Sequence, residues 1–521
     1  MEESQIDRHL AIEAGGLTIG SLFRQAAAAN PRAVALADRQ REFTYAELND
    51  RVNRLVHALA SKGVRAGDRV AVLAENRGEY VELELAAAKL GAILACQNWR
   101  QADAELQHCI GLVAPQIVLV SERYRGTLDR VGCDAPSVEL GEPYERLLAS
   151  SANSEPPDVA QSEDGLIILY TSGTTGMPKG ALISHRAMAA RSMIARVDFG
   201  MVPGRTFIAW APLFHMVSTD TVYATLIGGG KVIVMDGLDV RELVEWISRE
   251  EIGHLTLMPG MIDRVIDELN RTGVKPKGMI SLGCMADLVP RHQIAEITTL
   301  LQAPFRNSFG STETGSPPAS KGLVPIGVVA EKLSKEPNTF CQIRLVDVDD
   351  RDVPDGEPGE LAFRGPSLFS GYWRAPEANA KDFRGGWFHM GDVFVRNADG
   401  TLDFVDRRKY LIKSGGENIY PAEIENALRA SSRIGEAVVV RKADARWGEV
   451  PVAFVVRLDE GLSREDVIAS CRGRIANYKL PKDVIFIADA DLPRSATGKI
   501  KRHELEERLK AQDEGPTSAV A

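Results

Sequence analysis

Leu166-Ile-Ile-Leu-Tyr-Thr-Ser-Gly-Thr-Thr-Gly-Met-Pro-Lys-Gly180 decides how this chain is read. Leu166 to Tyr170 is an apolar run of strand length. Thr171, Ser172, Gly173, Thr174, Thr175 and Gly176 follow without a break, and Lys179 closes the segment. Glycines let successive backbone N–H groups converge on one anion, hydroxyls add donors, and lysine adds charge. The segment predicts a phosphate cradle at the end of a buried strand. It lacks the Walker A spacing, because Pro178 stands where Gly-Lys would be needed. A flexible Ser/Thr/Gly linker has the same composition, but linkers rarely abut a buried strand and end in Lys.

Outward from this segment the chain alternates strands and helices. Thr44-Tyr-Ala-Glu47 is a capping box. It opens a helix with Leu48, Val52, Leu55, Val56 and Leu59 on one face, stopped by Gly63. Strands are predicted from Arg69 to Ala74, Thr206 to Trp210, Lys231 to Met235, Leu255 to Met258, Met279 to Leu282 and Phe305 to Phe309. Helices are predicted from Val240 to Arg249 and from Met261 to Leu269. Short apolar runs between amphipathic helices indicate parallel strands buried on both faces. Ligands of such sheets sit beyond the strands' C-terminal ends.

After residue 340 the texture changes. Short strands from Cys341 to Val348, Gly359 to Arg364 and Leu402 to Val405 are split by Gly, Pro and Asp turns, which predicts a small, barrel-like antiparallel part. Beyond residue 410, strands from Ala437 to Val440, Ala453 to Leu458 and Val484 to Ile487 and helices from Arg464 to Ile475 and His503 to Lys510 predict an α+β unit. The expected class is α/β: a multi-subdomain body with parallel sheets over residues 1–408, and a smaller α+β domain over 410–521.

The chain has 521 residues, enough for about three domain-sized units. It is 44% hydrophobic and 26% charged with a net charge of −10. That excludes collagenous, low-complexity and disulfide-stapled chains and lacks the basic footprint of a nucleic-acid binder. Acidic and basic residues balance over 410–521, so the acidity lies in the first 409 residues. The six cysteines are scattered with no C-x-x-C pair, which indicates neither a zinc site nor a disulfide framework. The acidic N-terminus has no signal-peptide core, no apolar run reaches the ~18 residues of a membrane span, and Thr517-Ser-Ala-Val-Ala521 is not a peroxisomal address. A cytoplasmic protein with no nucleic-acid or integral-membrane partner is expected.

Further motifs follow the loop in order: Phe309-Gly-Ser-Thr-Glu313, Trp387-Phe-His-Met-Gly-Asp392, Asp406-Arg-Arg-Lys409, Leu411-Ile-Lys-Ser-Gly-Gly-Glu-Asn418 and Pro493-Arg-Ser-Ala-Thr-Gly-Lys499. Singly, a Thr-Glu pair after a strand is more often a helix cap than a metal ligand, and a lone Asp or Arg is a surface ion pair worth little. Together, over roughly residues 40 to 505, they resemble the AMP-forming adenylating superfamily of acyl- and aryl-CoA synthetases, peptide-synthetase adenylation domains and beetle luciferases.

The resemblance implies two steps. A carboxylate attacks ATP·Mg²⁺ to give acyl-AMP and pyrophosphate, and the thiol of coenzyme A then displaces AMP. Thr171, Ser172, Gly173, Thr174, Thr175, Gly176 and Lys179 would hold the phosphates, with Thr174 and Glu313 toward Mg²⁺. Phe309 would stack on adenine, Gly310 would admit the acyl group, and Thr312 would bond the phosphate. Asp392 would take both ribose hydroxyls, with Arg407 as a second ribose contact. Lys409 would be the hinge of a mobile C-terminal lid. In one pose Lys499 would neutralise charge developing on the α-phosphate. In the other, Gly415 and Gly416 would line a pantetheine tunnel too narrow for side chains. Lys413 and Asn418 match auxiliary positions. Trp447, Tyr478 and Lys482 match coenzyme A contacts of aryl-CoA ligases, and Arg472, Arg474, Lys479, Lys501 and Arg502 offer further bases to its phosphates.

Ala209-Trp-Ala-Pro-Leu-Phe-His-Met-Val-Ser218 resembles the acyl-site motif. His215 falls where the family gates or orients the carboxylate, and a satisfied loop histidine is the plain alternative. Carrying no negative charge for an amino group, it disfavours an amino-acid substrate. Trp210, Met216, Met258, Gly283, Cys284, Met285 and Gly310 form a soft lining suited to an aromatic or alicyclic ring. The expected function is an acid–CoA ligase for such an acid, with carrier-protein loading or a medium-chain fatty acid as alternatives. Two departures stand out. Asp406 replaces the family's Gly, and Leu333-Ser-Lys-Glu-Pro337 replaces a Gly-(Arg/Lys)-Pro turn. The second is expected to reshape the pocket rim or a subunit contact, which leaves a homodimer open.

Overall fold

The strand that carries the glycine-rich loop lies inside a seven-stranded sheet. In the computed structural model, which describes residues 14–171, 177–258, 260–414, 417–494 and 500–513, Gly165–Thr171 runs parallel to Ile93–Cys96 and antiparallel to Lys179–Ser184. Leu166, Ile167 and Ile168 are fully buried, as a run without polar residues requires of a strand covered on both faces. The strand order is Gly371–Tyr372, Lys179–Ser184, Gly165–Thr171, Ile93–Cys96, Arg69–Leu73, Ile117–Ser121, Ser137–Leu140.

A second sheet has eight strands in the order Leu323–Val324, Phe305–Asn307, Gly278–Cys284, Glu251–Thr256, Thr206–Ala209, Lys231–Val234, Val34–Ala37, Glu42–Thr44. Its inner pairs are parallel, and antiparallel strands close both edges. The Tyr45–Ser61 helix opens on the Thr44–Glu47 capping box, and the next predicted helix spans Val240–Arg249. One strand begins earlier than predicted, at Glu251, and runs through Gly253 to Thr256 beside Gly278–Cys284.

The chain forms two compact units, residues 1–343 with 363–388 and residues 344–362 with 389–521. Both large sheets belong to the first. Four strands that fall mostly in the second are ordered Gln342–Val346, Pro358–Arg364, Phe388–Arg396, Leu402–Arg407. Among the described residues this order does not close on itself, so no closed barrel stands where the turns led a barrel-like part to be expected. Glu417–Ile419, Ile412–Ser414, Gly448–Arg457 and Ile434–Asp444 form the other sheet, with Asp483–Phe486 beside Gly448–Arg457. Its core joins Ile424 and Leu428 to Val439, Val455, Val467 and Val484. The Arg464–Cys471 helix stops short of Ile475 because Arg472 is extended and Gly473 takes φ +75°. Among the described residues no helix is long and apolar enough to cross a membrane.

Candidate active site

The glycine-rich loop is the tip of a hairpin. Thr171 pairs with Lys179, so the loop is pinned at both ends. The chain leaves it as a strand and only then, capped by Ser184 Oγ, enters the His185–Phe199 helix. Ser172, Gly173, Thr174, Thr175 and Gly176 lie outside the described residues. Lys179 Nζ stands 3.8 Å from the centroid of the Tyr372 ring and 3.6 Å from the Asp382 carboxylate.

Phe309-Gly-Ser-Thr-Glu313 turns back on itself, with Gly310–Ser311 antiparallel to Gly315–Pro318. A Cβ on Gly310 would stand 2.0 Å from Gly315 O. The returning chain alone therefore demands glycine there. Phe309 is buried, and its N–H donates to Ser320 Oγ at 2.8 Å. Thr312 and Glu313 are half-buried. Glu313 Oε1 accepts the Tyr372 O–H at 2.8 Å. Tyr372 thus joins the two motifs, with a cation over its ring and a carboxylate at its hydroxyl. It lies on the short Gly371–Tyr372 strand that pairs with Ala181 and Leu182. No motif marked this tyrosine; its only signal in the sequence is the aromatic pair Tyr372-Trp373 after Gly371.

On the acyl side, Trp210, Met258 and Cys284 meet in one apolar cluster. Trp210 Nε1 donates to Thr256 O at 2.9 Å. At Gly283 (φ +154°) a Cβ would stand 2.3 Å from Arg306 O, so strand packing excludes a side chain there. Met216 and Met285 are half-exposed. Burial pushes the Cys284 thiol up to about 12, which makes it a packing residue and not a nucleophile. Buried Asn76, which the sequence did not flag, donates to Ala211 O at 2.8 Å and Met235 O at 3.1 Å and accepts Leu213 N–H at 2.8 Å. It fixes the loop leading to His215.

His215 caps the Met216–Leu226 helix. Its Nδ1 accepts Val217 N–H at 3.4 Å, which puts the proton of a neutral ring on Nε2. The cap and the expected gating role therefore use different nitrogens. The departing segment packs against the neighbouring strand end. Lys335 is fully buried; its ammonium binds the Asp287 carboxylate and donates to Asn307 Oδ1 at 2.7 Å. Asn307 Nδ2 donates to Leu333 O at 2.6 Å, and Leu333 packs on the Trp210 cluster.

In the second unit, Asp392 and Arg407 are cross-strand partners with 3.2 Å between Oδ1 and Nε. Asp406 is buried. Its Oδ1 accepts Arg407 N–H at 2.7 Å and its Oδ2 accepts Ala422 N–H at 2.8 Å. It thereby satisfies a donor in the first turn of the Pro421–Arg429 helix, which a glycine cannot do. Lys409 is exposed in the Arg408–Tyr410 turn. Exposed Lys413 pairs in register with Asn418. Gly415, Gly416, Lys499 and the Asn418 side chain lie outside the described residues. Trp447 and Tyr478 are 41% and 44% exposed, with Arg446 over the Trp447 ring at 4.7 Å, and Lys482 is exposed. Two bases expected at the coenzyme A phosphates are committed within the fold. Arg502 binds Glu425 and Val439 O, and Lys479 binds Glu423 at 2.6 Å.

A hairpin-borne glycine loop linked to a Thr-Glu turn, beside an apolar strand-end cluster, defines a class. The AMP-binding enzyme family matches residues 23–373, and the AMP-binding enzyme C-terminal domain matches residues 423–499. The chain belongs to this family. Feruloyl-CoA synthase of Amycolatopsis sp is 33% identical over 502 residues, covering 94% of this chain and 99% of that protein. Indoleacetate–CoA ligase of Aromatoleum aromaticum is 33% identical over 520 residues, covering 97% and 98%. The structure of o-succinylbenzoate CoA synthetase from Bacillus subtilis in complex with its acyl-adenylate superposes with a TM-score of 0.83 at 27% identity, covering 94% of this chain and 98% of that one.

Proposed function

We propose that this enzyme, an AMP-forming acid–CoA ligase, activates an aromatic or alicyclic carboxylic acid. The observation that carries the substrate class is the cluster of Trp210, Met258 and Cys284 at the strand ends, backed by Leu333. An apolar lining built from such side chains would suit a flat ring. The nearby buried Lys335 is neutralised by Asp287, which disfavours a second substrate carboxylate there. The names of the two 33% identical relatives, feruloyl-CoA synthase and indoleacetate–CoA ligase, refer to ring acids.

A carboxylate does not react with a thiol at neutral pH, because its oxygen is a poor leaving group. In the first step one carboxylate oxygen attacks the α-phosphorus of ATP and the bond to pyrophosphate breaks. In the second, the coenzyme A sulfur attacks the acyl carbon, its proton passes to solvent, and AMP departs with the bonding pair. In this reading residues 171–179 hold the phosphates and Thr312 bonds the α-phosphate. Asp392 and Arg407 take the ribose, Phe309 takes the base, and His215 Nε2 faces the carboxylate. Lys499 acts in adenylation, and the lid turns about Lys409. Trp447, Tyr478 and Lys482 meet coenzyme A.

Among the described residues no group of three or more His, Cys, Asp or Glu forms a metal cage. Glu313 is a half-buried carboxylate with one oxygen held by Tyr372. That suits Mg²⁺, which binds one or two carboxylates plus substrate phosphates. Glu313 and Thr174 would hold it, and it would supply charge neutralisation at the phosphate oxygens. The cytoplasm, where ATP and coenzyme A are available, is the proposed compartment.

AMP release with free coenzyme A across benzoate, cinnamate, cyclohexanecarboxylate, octanoate, malonate and palmitate tests the reading. Ring acids should lead in kcat/KM by about tenfold or more, equivalent to ~1.4 kcal/mol of transition-state binding. Best turnover with malonate or palmitate would overturn the substrate class. Turnover only with a carrier-protein thiol would overturn the use of coenzyme A.

A further inference from the structure

Arg191, on the His185–Phe199 helix, is buried, and its guanidinium reaches in three directions. Nε donates to Ser367 O at 3.1 Å, and Nη1 lies 3.2 Å from each Asp220 carboxylate oxygen. Nη2 donates to Thr312 O at 3.0 Å and to Glu313 O at 3.1 Å. Gly315 leaves room for the stem, since a Cβ there would stand 2.8 Å from Arg191 Cδ. Asp220 lies on the Met216–Leu226 helix that His215 caps. Beside it, Glu84 is fully buried, and burial, with the Asp220 charge adding to it, holds its carboxyl well above the usual carboxylate range.

We propose that Arg191 is a positioning residue for adenylation, holding the Thr312 and Glu313 carbonyls so that their side chains are aimed at phosphate and metal, and tying that turn through Asp220 to the helix behind His215. The inference rests on the roles given above to Thr312 and Glu313. The turn it holds lies between the two-residue strand Gly310–Ser311 and its return strand; Phe369 N–H also donates to Glu313 O at 2.8 Å, so the Thr312 carbonyl is the one that leans most on Arg191. Only a planar fork can serve the carboxylate and both carbonyls together; an ammonium is a single point.

The test is Arg191→Lys, which keeps a charge for Asp220 and loses the fork. Mn²⁺ binding to the enzyme with α,β-methylene-ATP, read by electron paramagnetic resonance, should weaken by about tenfold, the usual cost of losing an outer support of a metal ligand. Acid-dependent ATP–pyrophosphate exchange should fall by a similar factor. Thioesterification of supplied acyl-AMP should change by less than about threefold, because that half-reaction does not use the metal. Asp220→Asn, which loosens the anchor of the guanidinium, should weaken Mn²⁺ binding in the same direction but less than Arg191→Lys, and wild-type affinity in it would overturn the tie through Asp220. Unchanged Mn²⁺ affinity in Arg191→Lys, or equal loss of both half-reactions, overturns the inference. Should Arg191→Lys not fold, Arg191→Gln, a shorter planar donor that cannot serve the carboxylate and both carbonyls together, is read by the same criteria. Glu313→Gln separates the two levels of the argument. Unchanged Mn²⁺ affinity in it overturns the metal role of Glu313, whereas affinity lost there but kept in Arg191→Lys overturns the role of Arg191 alone.

Discussion

The Tyr372 hydroxyl donates to Glu313 Oε1 at 2.8 Å while Lys179 stands 3.8 Å from the centre of the same ring. One aromatic side chain therefore sets both the carboxylate proposed for Mg²⁺ and the lysine proposed for phosphate. Tyr372→Phe keeps the ring and removes one hydrogen bond to a charged group, worth about 1.5–3 kcal/mol. Pyrophosphate exchange should slow by about tenfold or more, with a higher Mg²⁺ requirement. Wild-type exchange at limiting Mg²⁺ would reduce Tyr372 to a spacer.

Lys499 is the residue on which the division of labour between the two steps depends. Lys499→Ala should lower acyl-adenylate formation by at least about 100-fold, as expected for removal of a preorganised charge at a developing oxyanion. Thioester formation from supplied acyl-AMP should largely survive. Single-turnover assays of each half-reaction measure the two, and equal loss of both would refute the assignment.

Asp406 accepts from Ala422 N–H at 2.8 Å and Arg407 N–H at 2.7 Å. Asp406→Ala should destabilise the Pro421–Arg429 helix by about 1–2 kcal/mol, the range for loss of a capping acceptor. Asp406→Asn, which keeps an acceptor, should cost less. Hydrogen exchange over residues 421–429 reads this locally, which suits a chain of two units better than a global melt.

Acid should weaken the fold before its carboxylates protonate. His185 is fully buried, and its Nδ1 accepts Ile19 N–H at 3.1 Å; burial pushes the ring down to about 4. His254, 2.9 Å from Ser281 Oγ, is pushed down to about 3 by burial and then by Arg306. In the unfolded chain both titrate near ~6.5. The unfolded state therefore binds protons that the folded state refuses. Their stabilising contribution is full above pH ~6.5 and declines as the pH falls toward the folded values, by about 1.4 kcal/mol per pH unit for His185. Calorimetric melting should be flat from about pH 8 to 7 and fall from about 6.5 to 4. His185→Gln should flatten that slope. A melting temperature that rises over the same interval would contradict the sign.

What the sequence determined by itself was local. The apolar run Leu166 to Tyr170 and the Thr44–Glu47 capping box owe their form to neighbours a few residues away, and they appear where the residue pattern puts them. The order of the motifs was likewise legible, because each is contiguous. Tertiary structure decided the partners. Tyr372 meets Glu313 across 59 residues and Arg191 meets Thr312 across 121, and neither pairing leaves a trace in spacing. It also decided which charges are available. Arg502, which reads as one more exposed base, is held by Glu425 and Val439 O. Asp406, which reads as a lost glycine, holds a helix terminus. Backbone preference and burial period are properties of short segments, whereas the environment of a charge is set by whatever the fold packs beside it.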